Sequence, residues 1–439
     1  MIIFHIDVNS AYLSWTAVEQ LKNGARTDIR TIPAIIGGDQ KSRHGIVLAK
    51  SVPAKKYGIR TGEPVANAFR KCPNLHMEAP DHEMYHKHSR ELMAFLRSYT
   101  PDIEQVSVDE CYMDFTGISG RFASPVEAAF EIKDEVKKRF GFTVNIGISD
   151  VKVLAKMASD FEKPDRVHTL FRKEIQEKMW PLPISDLFMA GHSSVETLKK
   201  LEIQTIGDLA KADPKLIELH LKSHGRRLWE FANGMDDSAV ESEKAEAKGV
   251  GNSTTLSKDV TTKEDAQKVL LSLAQSVGGR LRKHGYHAGV VNVEIKYADF
   301  TVNSHQKQLE RMTASDQVIY QTAVELFGEM WNGKPIRLLG IRTSKLSQEG
   351  EPQQLSLFDL NFHSSENISE EVKSFENSQK HEKLDQALDE IRKKFGKDAV
   401  VRASFLKKPE NILTHMQEFQ DKVYRILAVL DGTDEDPGV

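Results

Sequence analysis

Residues 107–115 read SVDECYMDF, a run whose apolar positions suit a buried β-strand but which carries two adjacent carboxylates, Asp109 and Glu110. Alternation places Val106, Val108, Glu110 and Tyr112 on one face and Ser107, Asp109, Cys111 and Met113 on the other. Period-two packing does not account for two charges side by side at mid-strand. A buried carboxylate costs free energy unless it is paired, hydrogen-bonded or bound to a cation. A third acid is therefore sought, and residues 2–8, IIFHIDV, read as a strand that presents Asp7, followed by a helix that Asn9 or Ser10 would cap. If the two strands are neighbours in one sheet, Asp7, Asp109 and Glu110 converge. Together with a main-chain oxygen such as that of Val8 they offer the hard oxygen ligands that Mg2+ takes alongside phosphate. Two such ions would activate an attacking hydroxyl and stabilise a leaving pyrophosphate. The same acids could instead be ordinary, with Asp7 capping a helix and Glu110 meeting a surface lysine, and spacing alone leaves both readings open.

At 439 residues the chain exceeds what one hydrophobic core supports, so two to four domains are expected. The formal charge of -4 is uneven: residues 351–439 carry 12 Lys+Arg against 18 Asp+Glu, which leaves residues 1–350 at +2. Cys72 and Cys111 form no CxxC pair, which argues against a zinc site or a disulfide framework and fits a reduced, cytoplasmic protein. The N-terminus MIIFHIDVNS lacks the features of a signal peptide and no run reaches membrane-span length, so neither secretion nor membrane insertion is expected.

Along the first 166 residues the pattern is a strand and helix, a small hairpin over 34–50, a His- and Met-rich helix over 81–99, the carboxylate strand, a helix, the strand FTVNIGIS and the helix VKVLAKMASDF. That order implies an α+β sheet with helices on one face. Short helices with tight turns follow over 184–235, where LKKLEIQTIGDLAKAD has the shape of a helix-hairpin-helix element. The charged run DDSAVESEKAEAK reads as a tether, and residues 248–345 give a second α+β pattern. The remainder is polar, with one apolar knot, QLSLF, and two expected helices.

SVDECYMDFTG resembles the signature strand of the Y-family translesion DNA polymerases, IDVNSAYLSW their N-terminal strand and helix, and GISDVKVLAKMASDFEKP their third palm motif. GNSTTLSKDV and IRLLGIR resemble the family's little finger domain, and the likeness covers about residues 1–350 in the family's order. The resemblance implies a multidomain α+β right-hand polymerase. Its palm would comprise 1–10 and 78–166, its small fingers 11–77, its helical thumb 167–236, a linker 237–247, and its little finger 248–350, ahead of a tail over 351–439. It implies a low-fidelity enzyme without proofreading, serving damage tolerance, whose ligands for two Mg2+ ions (or Mn2+) are Asp7, Val8, Asp109 and Glu110. Tyr12 would be the steric gate beneath the sugar, Lys163 and Lys55 would hold the dNTP triphosphate, and Ile46 and Leu48 would roof the nascent base pair. Lys55 stands where many members have arginine and Val52 where many have tyrosine, which leans toward the mutasome-type branch, while the domain spacing suits polymerase IV-like members equally.

Primer-template DNA would be gripped through its phosphates. Candidate contacts are Gly207, at the end of the IQTIG turn, and Ser253, Thr254, Thr255, Arg337 and Arg342 in the little finger. Leu338 occupies a position that is basic in some relatives, and the MAGHSS turn is less regular than the family's Gly-rich hairpin. Gln354, Leu355, Leu357 and Phe358 resemble the peptide by which bacterial polymerases dock on the sliding clamp. A monomer is expected. The competing reading is a non-catalytic DNA-binding scaffold that kept the fold, which would have no need of three buried acids.

Overall fold

The computed structural model describes residues 1–38, 45–243, 246–348, 365–396 and 399–400, in two compact units that divide between residues 243 and 246. In the first unit, β1 (Ile3–Val8) sends Phe4, Ile6 and Val8 into the main core and turns Ile3, His5 and Asp7 to the other face. Helix α1 (Ala11–Lys22) packs Trp15 and Val18 into that core and Leu13 and Ala17 into a neighbouring cluster. Neither expected cap operates. Ser10 precedes the helix in the left-handed region (φ 48) without a capping side-chain bond, while the Asn9 amide donates to Asn145 Oδ1 and its carbonyl oxygen accepts from Thr143 Oγ1 and the Asp165 N–H. Asn9 thus ties the end of β1 to the segment after Lys163.

Strands β2 (Ala34–Gly37) and β3 (Val47–Lys50) form the expected hairpin. The short helices α2 (Val52–Lys55) and α3 (Val65–Lys71) follow, and β4 (His76–Glu78) then joins β2 in parallel to complete a three-stranded sheet. β2 is buried on both faces, Ile35 against Val65 and Ala68 of α3, Ala34 and Ile36 against Leu13 and Ala17 of α1.

After α4 (His82–Arg97), which Asp81 caps, come β5 (Ile103–Gln105), β6 (Glu110–Asp114), α5 (Pro125–Phe140), β7 (Val144–Ser149), α6 (Lys152–Asp160) and β8 (Val167–Thr169). The five-stranded sheet has the order β5-β6-β1-β7-β8, with β1 antiparallel to both neighbours. Two expectations are corrected. Residues 106–109 are not mid-strand: β5 and β6 form a hairpin closed by the Val106 and Ser107 N–H groups, both donating to the Glu110 carbonyl, so Asp109 sits in the turn and Glu110 opens the strand. Nor do the helices share one face. α4 and α5 cover Phe4, Ile6 and Ile146, but α6 lies on the opposite face, where a Cβ on Gly147 would stand 2.0 Å from the Ala155 carbonyl oxygen. Only glycine lets that helix approach so closely.

Helices α7 (Ile175–Lys178), α8 (His192–Lys200), α9 (Ile206–Lys211) and α10 (Pro214–Ala232) share a core with Leu154, Met157 and Ala158 of α6. The start of the supposed tether is docked on this same unit. Asp236 accepts from the Val153 N–H, Lys152 donates to the Ala239 carbonyl, the Glu241 N–H donates to Glu104, and Val240 packs near Ile3 and Tyr112.

The second unit is a four-stranded antiparallel sheet, order β11-β10-β12-β9, backed by two helices. Its elements in order are β9 (Gly249–Val260), α11 (Lys263–Lys283), β10 (Tyr286–Tyr297), β11 (Val302–Thr313), α12 (Asp316–Met330) and β12 (Ile336–Gln348). Leu256, Val293, Leu339 and Ile341 face the helices. Part of the tail is a helix, as expected, and that helix, α13 (Ser365–Phe395), packs on this unit: Glu382 accepts from Thr313 Oγ1 and the Ala314 N–H, and Asp385 from the Asp316 N–H. Among the described residues no helix is long and apolar enough to cross a membrane.

Candidate active site

Strand register brings the acids together. Asp7 lies directly opposite Glu110, and the Val8 N–H donates to the Asp109 carbonyl at 3.0 Å. The site is half open, with Asp7 and Glu110 side chains 14% and 23% exposed. Two of the three acids already face a cation. Lys163 donates to Asp7 and, at 2.8 Å, pairs with Asp160; Lys156 donates to Glu110 Oε2 at 2.9 Å. The bland alternative of an ion-paired Glu110 is therefore met in part, although Lys156 is a half-buried residue of α6 rather than an exposed surface one.

The charges respond to these surroundings. Burial pushes the Asp109 carboxyl up, against a 2.6 Å hydrogen bond from Ser107 Oγ, and the like charges of Asp7 and Glu110 add to the rise. Glu110 is drawn down to about 2 by His5 and Lys156, against its own burial. Burial alone would lower Lys156 and Lys163; Asp160 with Glu110, and Asp7 with Asp160, carry them above the ordinary lysine value instead. Both ammonium groups stay charged.

Among the described residues no three His, Cys, Asp or Glu side chains are gathered closely enough to hold a metal ion. The donor set nonetheless fits a hard divalent cation: two carboxylates directly opposite in register, a third beside them, and the Val8 main chain at the same strand end. Lys163 and Lys156 supply positive charge to Asp7 and Glu110.

Tyr12 stacks flat on Tyr85, with ring centroids 4.3 Å apart and planes 7° from parallel, and the Tyr85 hydroxyl is 3.1 Å from Thr16 Oγ1. Leu48 packs at the edge of the cluster that Tyr12 also touches, while Ile46 bridges to Pro64 and is 42% exposed. Lys55 ends α2 on the surface. Beside it is a residue the sequence reading missed, Lys50, whose ammonium is lowered by burial and then by Lys55. Its signal was the same alternation that pairs Ile46 with Leu48.

The DNA-contact candidates divide. Gly207 is corrected: it is buried, its N–H donates to the Trp180 carbonyl at 3.0 Å, and a Cβ there would meet Trp180 at 3.0 Å. The neighbouring N–H groups of Ile206 and Asp208 are likewise bonded, to the Leu182 carbonyl and Thr205 Oγ1, so this helix start has no amide to offer a phosphate. The exposed helix start lies instead in the MAGHSS turn, where Gly191 caps α8 without a side-chain bond. Thr254 is also corrected, being 5% exposed and opposite the core residue Leu339. Ser253 and Thr255 lie on the open face of the sheet, with Leu338 opposite Thr255. Arg342 shares that face, its stem lying over Gly251, where a Cβ would be 3.1 Å from it. Arg337 sits in a bulge with its guanidinium 4.8 Å from the ring centre of Phe300. Gln354, Leu355, Leu357 and Phe358 lie outside the described residues.

His5, Lys156 and Ser159 were also missed. His5 is 1% exposed, with Nδ1 2.8 Å from Ser159 Oγ and Nε2 3.4 Å from Glu110 Oε2. Its only sequence signal was a polar residue in step with Asp7 along β1.

Comparison with known proteins bears on the whole chain. The impB/mucB/samB family model matches residues 6–160, and the model of that family's C-terminal domain matches residues 247–357. DNA polymerase IV of Clostridium acetobutylicum is 46% identical over 93% of this chain and 99% of its own length. DNA polymerase IV of Alkaliphilus oremlandii is 35% identical over 92% of this chain and 99% of its own. A Y-family DNA polymerase chimera of known structure, 22% identical, superposes with a TM-score of 0.69 over 80% of this chain and all of its own, a likeness of fold. With its acids on adjacent strands and a relative this close along nearly its full length, the chain belongs to the Y-family of DNA polymerases.

Proposed function

We propose that this protein joins a deoxynucleotide to a primer 3'-hydroxyl with release of pyrophosphate, by a two-metal mechanism using Mg2+ (or Mn2+), at low fidelity and without proofreading, in tolerance of DNA damage. Membership of the family makes it a DNA-directed DNA polymerase of the translesion type and carries dependence on a divalent cation. The observation that supports the finer reading is the register of Asp7 against Glu110 with Asp109 beside them. Asp7, Asp109, Glu110 and the Val8 carbonyl are the groups that would hold the ions, which when bound supply charge stabilisation at the attacking and leaving oxygens.

The remaining work falls to side chains. Lys163 exchanges Asp7 for the triphosphate, and Lys55 adds a second point charge without the planar fork of an arginine. Tyr12, held flat by Tyr85, lies under the sugar and excludes a 2'-hydroxyl; Ile46 and Leu48 limit the volume above the base pair. Ser253, Thr255, Arg337, Arg342 and the amides at the start of α8 hold DNA phosphates. Gln354, Leu355, Leu357 and Phe358 dock on the sliding clamp, and the enzyme works as a monomer in the cytoplasm. The scaffold alternative is disfavoured by the lysine-paired acids, a costly arrangement for a protein with no chemistry to perform. Primer extension with Mg2+ tests the choice: the parent should extend, and Asp109→Ala should lose about a thousand-fold while still binding primer-template. Near-parental extension by Asp109→Ala would contradict the two-metal assignment.

A further inference from the structure

Glu110 meets its surroundings through one oxygen. Oε2 accepts from Lys156 at 2.9 Å and faces His5 Nε2 at 3.4 Å, whereas Oε1 makes no hydrogen bond among the described residues. His5 is held from three sides. It stands opposite Tyr112 on β6 and Gly147 on β7, its ring meets Tyr112 edge-on at 4.8 Å, and Ser159 of α6 lies 2.8 Å from Nδ1. α6 can reach that far because Gly147 lets its backbone down onto the sheet. His5 Nε2 is a fully buried polar atom with no hydrogen-bond partner among the described residues, and it faces Glu110, the carboxylate directly opposite Asp7.

A neutral imidazole carries one N–H. Beside a carboxylate that hydrogen belongs on Nε2, which leaves Nδ1 to accept from the Ser159 hydroxyl when that hydroxyl turns from the Lys156 carbonyl, its other acceptor at 2.8 Å. A buried donor left without a partner is costly, so Glu110 gains by closing the remaining gap to Nε2. We propose that His5 is a positioning residue for Glu110, working as the middle of a Ser159–His5–Glu110 chain that, with Lys156, fixes Oε2 and leaves Oε1 turned to the reacting groups. The inference rests on the reading of Glu110 as a cation ligand given above. Groups that orient a metal-bound carboxylate or histidine from behind typically change metal affinity or activity by about 10- to 100-fold when removed.

The test uses the full-length protein on primer-template with a non-reactive nucleotide, and Mn2+ binding followed by electron paramagnetic resonance. His5→Phe keeps the ring against Tyr112 and removes both nitrogens. It should weaken Mn2+ binding about ten-fold and lower kcat to a similar extent, with the nucleotide KM within two-fold of the parent. His5→Gln, whose terminal amide can donate from about the place of Nε2, should recover most of both losses. Ser159→Ala, a small change on α6, should shift Mn2+ binding in the same direction by about three-fold. If His5→Phe binds Mn2+ as the parent does, or if His5→Gln recovers nothing of what His5→Phe loses, the positioning role is wrong. If the parent itself binds Mn2+ no better than Glu110→Ala does, the failure lies with the metal-ligand reading instead.

Discussion

Each unit of the molecule gathers carboxylates around basic side chains, and the two gatherings are built differently. In the palm, Asp7 and Glu110 face Lys163 and Lys156 in a half-open site. In the second unit, Arg282 of α11 is closed in by Asp316 of α12 and by Asp385 and Asp389 of α13, at 2.8, 3.7 and 2.8 Å, with Arg282 and Asp316 only 6% and 2% exposed. The arginine fork also donates to the Ala314 carbonyl, so its charge is bound at several fixed points. A lysine presents one ammonium on a flexible stem and can leave. The contrast separates a cluster whose cations can be replaced from one whose cation is part of the fold.

The sharpest way to break that contrast is to remove the acids. Asp7→Ala should lower the single-turnover rate by about a thousand-fold with the protein still folded, because Lys163 retains Asp160 as a partner. Arg282→Met should do the reverse. Stranding the buried Asp316 and Asp385, with the partly exposed Asp389 beside them, should cost about 3 kcal/mol of the second unit's stability by urea unfolding, with the rate of chemistry at saturating DNA little changed. A catalytic loss without a stability loss in Arg282→Met would erase the distinction.

How far the sequence went in foretelling these clusters depends on the kind of signal. Asp7 and the 109–110 pair stand out because a charge inside an apolar alternation has few harmless explanations. The hairpin over 106–109 is hidden, since Val106 and Val108 continue the period of β6 although the chain has already turned. Gly207 reads as a phosphate-facing turn because turn glycines and packing glycines look alike in a string; only the Trp180 carbonyl on its N–H tells them apart. His5 and Lys156 reach Glu110 from another strand and from a helix across the sheet, contacts that no local spacing encodes. Local spacing is equally silent on where the acidic tail docks, because Glu382, Asp385 and Asp389 find their partners on α11, α12 and the turn before α12.

Smaller effects sharpen the comparison further. Lys163→Met should tighten Mn2+ binding in the absence of nucleotide by about three- to five-fold, the worth of a partly exposed ion pair, while raising the nucleotide KM. Unchanged Mn2+ affinity would show that Lys163 does not compete for Asp7. The pH response of the second unit should be modest and of defined sign. Burial, against the pull of Arg282, raises the Asp316 carboxyl from 3.8 to about 7, so the folded state holds a proton that the unfolded chain releases. The associated stability is fully present below about 4 and is lost as the pH rises toward about 7. Urea unfolding between pH 5 and 8 should show that decline in the parent and a flatter profile in Asp316→Asn; equal slopes would place the proton elsewhere.

The claim on which the rest depends is that the palm carboxylates are a binding site for two divalent cations. Counting bound Mn2+ by electron paramagnetic resonance, on the protein with primer-template and a non-reactive nucleotide, tests it most directly. The parent should hold two tightly bound ions, and Asp109→Ala should lose at least one. A count that is the same in both proteins would contradict it.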